Sequence, residues 1–187
     1  GSRVGWYPLN HGFDEFYGAL HSNDMAPFKL YRDDQVIEDP VDQTTLTQRY
    51  TSEALRFIEQ NRENPFFLYI PHSFPHVPLF VTEEFEGKSK AGLYGDVVET
   101  IDWSMGQIFN KLTELGIDEN TMVIFTSDNG PWFEGSSGQF RNRKGTSWEG
   151  GLRVPFIARW PSKIAANQQT SVAAMNIDIF PTILDFA

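Results

Sequence analysis

Thr126-Ser127-Asp128-Asn129-Gly130-Pro131 places a carboxylate beside a carboxamide directly after an apolar run, Thr121-Met122-Val123-Ile124-Phe125. In open α/β sheets, ligands and ions bind where strands end. Asp128 and Asn129 both offer oxygen, the donor that hard cations such as Ca²⁺ and Mg²⁺ take. Fifteen residues beyond Asp128 begins Arg143-Lys144-Gly145-Thr146-Ser147-Trp148-Glu149-Gly150-Gly151, a basic stretch bounded by glycines. Lys144 could set its charge on an anion there, with Gly145 and Gly150-Gly151 allowing backbone to approach that anion closely. Trp148 and Phe140 would exclude water and strengthen the charge. A cation beside an anion clamp suits hydrolysis of a sulfate or phosphate ester. Each feature also has a plainer reading. Asp-Asn-Gly is ordinary turn chemistry, and a lysine is by default a solvated surface charge. On sequence alone the turn and the ligand pair stand level.

Charge sets a further condition. One Asp and a neutral Asn give a dication a single formal negative charge, whereas Ca²⁺ takes six to eight oxygens. Further carboxylates must come from elsewhere, and Asp33-Asp34 fits a hairpin turn better than a ligand pair. His72 and His76 have the spacing of a helical zinc pair, but Pro71, Pro75 and Pro78 forbid that helix. In extended chain their rings would stand roughly 13 Å apart, which excludes one shared ion without a turn. A single imidazole after a buried strand suits proton donation near neutral pH; a histidine serving only the core or surface is the plainer reading.

The 187 residues carry a net charge of −10 and no cysteine. That balance argues against a general nucleic-acid binder, and the absence of cysteine excludes disulfides, thiolate metal sites and a cysteine nucleophile within these residues. Between Gly135 and Lys163 the sign reverses. Arg141, Arg143, Lys144, Arg153, Arg159 and Lys163 face one acid, Glu149. A local positive field in an acidic chain suits a small anionic group better than a long polyanion, although a solvated basic face would look the same. No apolar run is long enough for a membrane span, and no charged-then-apolar leader is visible.

The elements that must position these residues alternate. Leu30–Ile37 reads as a hairpin turning at Asp33-Asp34. Asp42 caps a helix from about Gln43 to Arg62, with Leu46, Tyr50, Ala54, Phe57 and Ile58 at helical spacing. Phe66–Ile70 reads as a doubly covered strand. A second helix runs from Gly92 to Leu115, with a stripe of Tyr94, Val98, Ile101, Met105, Ile108, Leu112 and Leu115, and Gly116 as its stop. Strands at Thr121–Phe125 and Val154–Ala158 flank a long loop, and a short helix begins near Asp178 with Pro181 in its first turn. This order predicts a mostly parallel sheet with helices on both faces.

Several segments taken together carry a resemblance. Asn10-His11-Gly12-Phe13-Asp14-Glu15-Phe16-Tyr17-Gly18, Pro65–Tyr69, Pro75-His76-Val77-Pro78, Val123–Pro131, Arg143–Pro155 and Trp160-Pro161 are similar in type and order to the type I sulfatases of the alkaline-phosphatase-like superfamily. Ser22-Asn23-Asp24 resembles most the branch holding arylsulfatase A and the N-acetylgalactosamine-6-sulfatases. The resemblance implies an α/β, alkaline-phosphatase-like three-layer sandwich with a mostly parallel sheet, incomplete in this chain. Residues 1–187 would be part of a catalytic domain without its N-terminal nucleophile and metal segment or its C-terminal subdomain. It also implies a Ca²⁺ site, with Mg²⁺ as the second choice, holding Asp128 and Asn129. Lys144 would bind the sulfate and the leaving oxygen, His76 would contact sulfate and act as general acid, and Ser22 would lie near the sulfate.

The family nucleophile is a hydrated formylglycine made in a C/S-x-P-x-R motif. This chain has no cysteine and no Ser-x-Pro-x-Arg, so the expectation is an active parent protein and a piece that is inactive alone. The implied substrate is a sulfated small molecule or sulfated glycan, and the implied location of the parent is periplasmic, secreted or lysosome-like. Two other readings stay open at this point. One is a phosphodiesterase or phosphonate monoester hydrolase of the same superfamily; the other is a noncatalytic module that binds a sulfated glycan.

Overall fold

The computed structural model describes Gly5 and residues 7–187, which divide into two compact units, Gly1–Ile117 and Asp118–Ala187. The first unit is built on two helices, α1 (Leu46–Gln60) and α2 (Gly92–Glu114), and a three-stranded antiparallel sheet. That sheet runs β1 (Tyr17–Gly18), β2 (Leu30–Arg32), β3 (Gln35–Glu38), with β2 and β3 joined through Asp33-Asp34 as the turn chemistry predicts. Asp33 takes a left-handed φ of 55° in this turn. Its carboxylate accepts the Phe16 amide at 3.0 Å, so it serves the sheet and needs no metal role.

Asp42 caps the first helical turn as expected, accepting the Thr44 amide at 3.1 Å and hydroxyl at 2.7 Å. A 3₁₀ turn at Gln43–Thr45 leads into α1. α1 buries Leu46, Tyr50, Ala54 and Ile58, and α2 buries Val97, Ile101, Ile108 and Leu112. Burying such a side chain contributes about 1.5–3 kcal/mol, so this seam is the core of the unit. Within it the Thr51 hydroxyl donates at 2.7 Å to Ser104 Oγ or the Thr47 carbonyl, which satisfies buried polar atoms. α2 ends as predicted. Gly116 adopts a φ of 69°, and the Ile117 amide reaches back to the Leu112 carbonyl at 3.0 Å. The buried stripe differs by one position near its start, because Val97 is buried and Val98 is 43% exposed.

Arginines lash the sheet to α1. Arg32 grips Glu53 with both terminal nitrogens, at 3.1 and 2.5 Å. Arg49 reaches Glu38 at 2.5 Å and the Tyr17 hydroxyl at 3.0 Å.

The second unit holds an antiparallel ribbon of β4 (Val123–Thr126) and β5 (Phe156–Arg159), with the short α3 (Glu149–Leu152) before β5 and α4 (Ile179–Phe186) at the end. Asp118 and Arg159 form a two-pronged ion pair at 2.5 and 2.7 Å beside the start of this ribbon.

Two expectations about strands change. All the ladders among the described residues are antiparallel, so the parallel neighbours of the anticipated sheet are not formed within them. Phe66–Ile70 forms no regular element and joins no ladder, and its exposure alternates, with Phe67 and Tyr69 at 55% and 65%. β4 likewise is half-buried along its whole length. An apolar run seeks cover on both faces, and in these residues neither segment is fully covered. Among the described residues no helix is long and apolar enough to cross a membrane.

Candidate active site

The expected site residues fall into two groups, one in each unit. In the second unit β4 delivers the chain into Ser127-Asp128-Asn129 just past its end. Asp128 is exposed, and its carboxylate has only a long contact, 3.5 Å, from the Ser127 hydroxyl. That hydroxyl lies closer, at 3.2 Å, to the Asn129 carbonyl. Both side chains therefore keep oxygen available to a ligand. The following loop folds back on itself. The Gly130 amide donates to the Gly151 carbonyl at 2.9 Å, the Lys144 amide to the Pro131 carbonyl at 3.0 Å, and the Gly150 amide to the Arg141 carbonyl at 2.9 Å. Three backbone bonds thus bring Lys144 beside the Asp128-Asn129 turn. No acid pairs with the Lys144 ammonium among the described residues, so its charge remains free for an anion.

The glycines serve this fold-back differently from the sequence expectation. A Cβ on Gly130 would lie 2.0 Å from the Gly150 carbonyl oxygen, and one on Gly150 would lie 2.0 Å from that of Asn142. Gly151 is equally hemmed in by the Thr146 carbonyl at 2.4 Å. Gly150 and Gly151 exist for backbone packing against backbone, and both are buried. Gly145, by contrast, has open space around it, with a φ of 85° that favours glycine.

In the first unit Ser22 and His76 meet. His76 Nδ1 lies 2.7 Å from the Val77 carbonyl and 3.3 Å from Ser22 Oγ. A carbonyl only accepts, so Nδ1 carries a proton and Nε2 is left as the position that can take or give one. Asn23, next to Ser22, is 4% exposed. Its amide donates to the Pro78 carbonyl at 2.9 Å and to Gln43 Oε1 at 3.1 Å, while Gln43 returns a bond to the Asn23 carbonyl at 3.2 Å. It thereby fastens the Ser22 segment to the His76–Pro78 loop. Its position beside Ser22 was the only sequence signal. His72 is no part of this contact. It is half-buried beside the Tyr50 ring, with both nitrogens covered and lacking a partner, and this desolvation pushes its pKa down to about 4. It is a neutral imidazole at ordinary pH.

A sulfatase family model matches residues 1–187, the whole chain. This chain belongs to the sulfatase family. It is 42% identical to human steryl-sulfatase over 92% of its length and 41% identical to mouse N-acetylgalactosamine-6-sulfatase over 100%. It spans only 31% and 41% of those relatives. Among solved structures it is similar to Ps i-CgsB, with a TM-score of 0.88 at 26% identity, covering 100% of this chain and 48% of that one. A protein from a glycosaminoglycan-metabolism locus of Bacteroides thetaiotaomicron matches with a TM-score of 0.72 at 30% identity, covering 92% of this chain and 39% of that one. The fold is therefore the alkaline-phosphatase-like α/β fold of the sulfatases, present in part.

The donor set of this sulfatase chain can be judged against a metal. Asp128 and Asn129 have the right atoms for Ca²⁺ or Mg²⁺ and no competing strong partner. Among the described residues, however, no group of three or more His, Asp or Glu side chains is placed to hold an ion. The pair fits as a portion of a coordination shell.

Proposed function

We propose that residues 1–187 are the middle-to-later part of a sulfatase catalytic domain, and that the whole protein hydrolyses a sulfate ester of a small molecule or glycan. The observation that carries this reading is the 3.0 Å bond between the Lys144 amide and the Pro131 carbonyl. It ties the backbone of a lysine without an acidic partner to the chain leaving the turn that bears two oxygen donors. In this reading Asp128 and Asn129 hold a Ca²⁺ ion, which would offset charge on the sulfate oxygens. Lys144 sits on the sulfate and stabilises the leaving oxygen. His76, with Nδ1 held by the Val77 carbonyl, gives a proton from Nε2 to the departing alcohol, and Ser22 lies near the sulfate. A hydrated formylglycine, formed on a residue outside this chain, would supply the nucleophile. A periplasmic, secreted or lysosome-like location for the whole protein belongs to the same reading.

The family match favours sulfate over the phosphoryl and noncatalytic readings. The test is hydrolysis by the full-length protein of 4-nitrophenyl sulfate and of 4-nitrophenyl phosphate, with and without a chelator. The expected result is sulfate-ester cleavage that is lost on chelation and restored by Ca²⁺. Preference for the phosphate ester, or turnover of neither ester with Ca²⁺ present, rejects the reading.

A further inference from the structure

The loop that carries Lys144 also carries a surface that the reaction does not require. Trp132, Phe133 and Trp148 are 45%, 67% and 47% exposed, and arginines lie over rings within this loop. The Arg143 guanidinium sits 4.6 Å from the Phe133 ring centre, Arg141 sits 3.6 Å from Trp148, and Arg153 sits 5.0 Å from Phe140. Trp132 and Phe133 meet edge to face at 4.8 Å, so the pair presents ring surface in two directions. Arg153 is matched by Glu149 at 2.8 Å. Arg141 and Arg143 have no acidic partner among the described residues, and their segment is the one positive stretch of an acidic chain.

This platform adjoins the candidate site through backbone. Arg143 Nη1 reaches the Trp132 carbonyl at 3.4 Å, and the next residue, Lys144, is bonded to Pro131. Aromatic faces take the C–H-rich faces of sugar rings, and guanidinium forks take sulfate or carboxylate in two-pronged fashion. Stacking on a ring holds a guanidinium in place while leaving its N–H edge open to an anion. We infer that Trp132, Phe133, Arg141 and Arg143 form a subsite for a second anionic sugar, so that the substrate is an acidic oligosaccharide rather than an isolated sulfate ester. The inference rests on the sulfatase reading and assigns its substrate class.

The experiment uses the full-length protein with Trp132→Ala, Arg143→Gln and the charge-retaining Arg143→Lys. Binding to an array of chondroitin sulfate, heparin, carrageenan and fucoidan oligosaccharides is measured together with hydrolysis of 4-nitrophenyl sulfate. The expected result is binding of at least one of these glycans, weakened tenfold or more by Trp132→Ala and by Arg143→Gln and partly kept by Arg143→Lys. kcat/KM for the aryl ester should stay within twofold. Binding of none of the glycans, binding that the variants leave unchanged, equal loss toward glycan and aryl ester, or equal affinity for a thymidine oligonucleotide would overturn the inference. Failure of aryl-ester turnover strikes the sulfatase reading instead, and the binding arm still judges the platform.

Discussion

The main-chain amide of Lys144 donates to the carbonyl of Pro131 at 3.0 Å, which sets the lysine beside the Asp128-Asn129 turn although Lys144 lies thirteen positions beyond Pro131. The bond involves backbone only, so truncating the side chain leaves the loop in place. Lys144→Ala in the full-length protein should therefore lower kcat/KM for a sulfate ester by about a hundredfold to a thousandfold, the loss typical of one oxyanion donor. Thermal unfolding should stay unchanged. An unaltered kcat/KM, or a loss matched by a large fall in melting temperature, would remove the lysine from the chemistry.

The glycines of the same loop separate packing from conformational freedom. Gly130→Ala and Gly150→Ala push a methyl to 2.0 Å from a carbonyl oxygen, and neither neighbour can yield without breaking the fold-back. Gly145→Ala meets open space and faces only the cost of its positive φ, about 1–2 kcal/mol. Activity should vanish in the first two variants and persist in the third. Proteolysis within residues 131–149 should accelerate in the same order. Equal behaviour of the three would show that close packing is not what these residues provide.

These contrasts mark what could be read from the residues. Asp42 as a cap, Asp33-Asp34 as a turn and Gly116 as a stop are local chemistry, and each acts as its residue type predicts. Asp128 and Lys144 were legible as a pair because turn, charge and glycine signals fall within one loop. The role of Gly150-Gly151 was not, because a glycine that admits a ligand and one that admits a neighbouring carbonyl look identical in sequence. Phe66–Ile70 reads as a covered strand because apolar content reports what a segment can bury, whereas a ladder depends on which strands are present beside it. Asn23 stayed hidden for a related reason. Its partners, Gln43 and Pro78, lie 20 and 55 residues away.

His72 makes a prediction about acid. Its folded pKa of about 4 lies below its ordinary value of 6.5, with burial as the cause. The unfolded chain binds the proton more readily, so stability is complete above about pH 6.5 and declines as the pH falls toward 4. A shift of this size corresponds to roughly 3 kcal/mol once both states are protonated. The ring nitrogens have no partners to lose, so His72→Phe should be close to neutral at pH 7 and more stable than the wild type near pH 4. Urea unfolding of the full-length protein at pH 7, 5.5 and 4 reads the difference. Parallel pH dependence in the two proteins would show that another group controls the acid limb.

Ser22 and Asn23 are adjacent but should fail in different ways. Ser22 touches His76 through a long, partly exposed contact of 3.3 Å, and such a bond contributes about 1 kcal/mol. Ser22→Ala should lower kcat by about fivefold and leave unfolding unchanged. Asn23→Ala strips the buried donor from the Pro78 carbonyl and from Gln43, and buried groups left unpaired cost about 1–3 kcal/mol. Its variant should be less stable, and its kcat should fall more than that of Ser22→Ala because the loop bearing His76 is released. A destabilised Asn23→Ala enzyme with wild-type kcat would confine Asn23 to the core and break its link to His76.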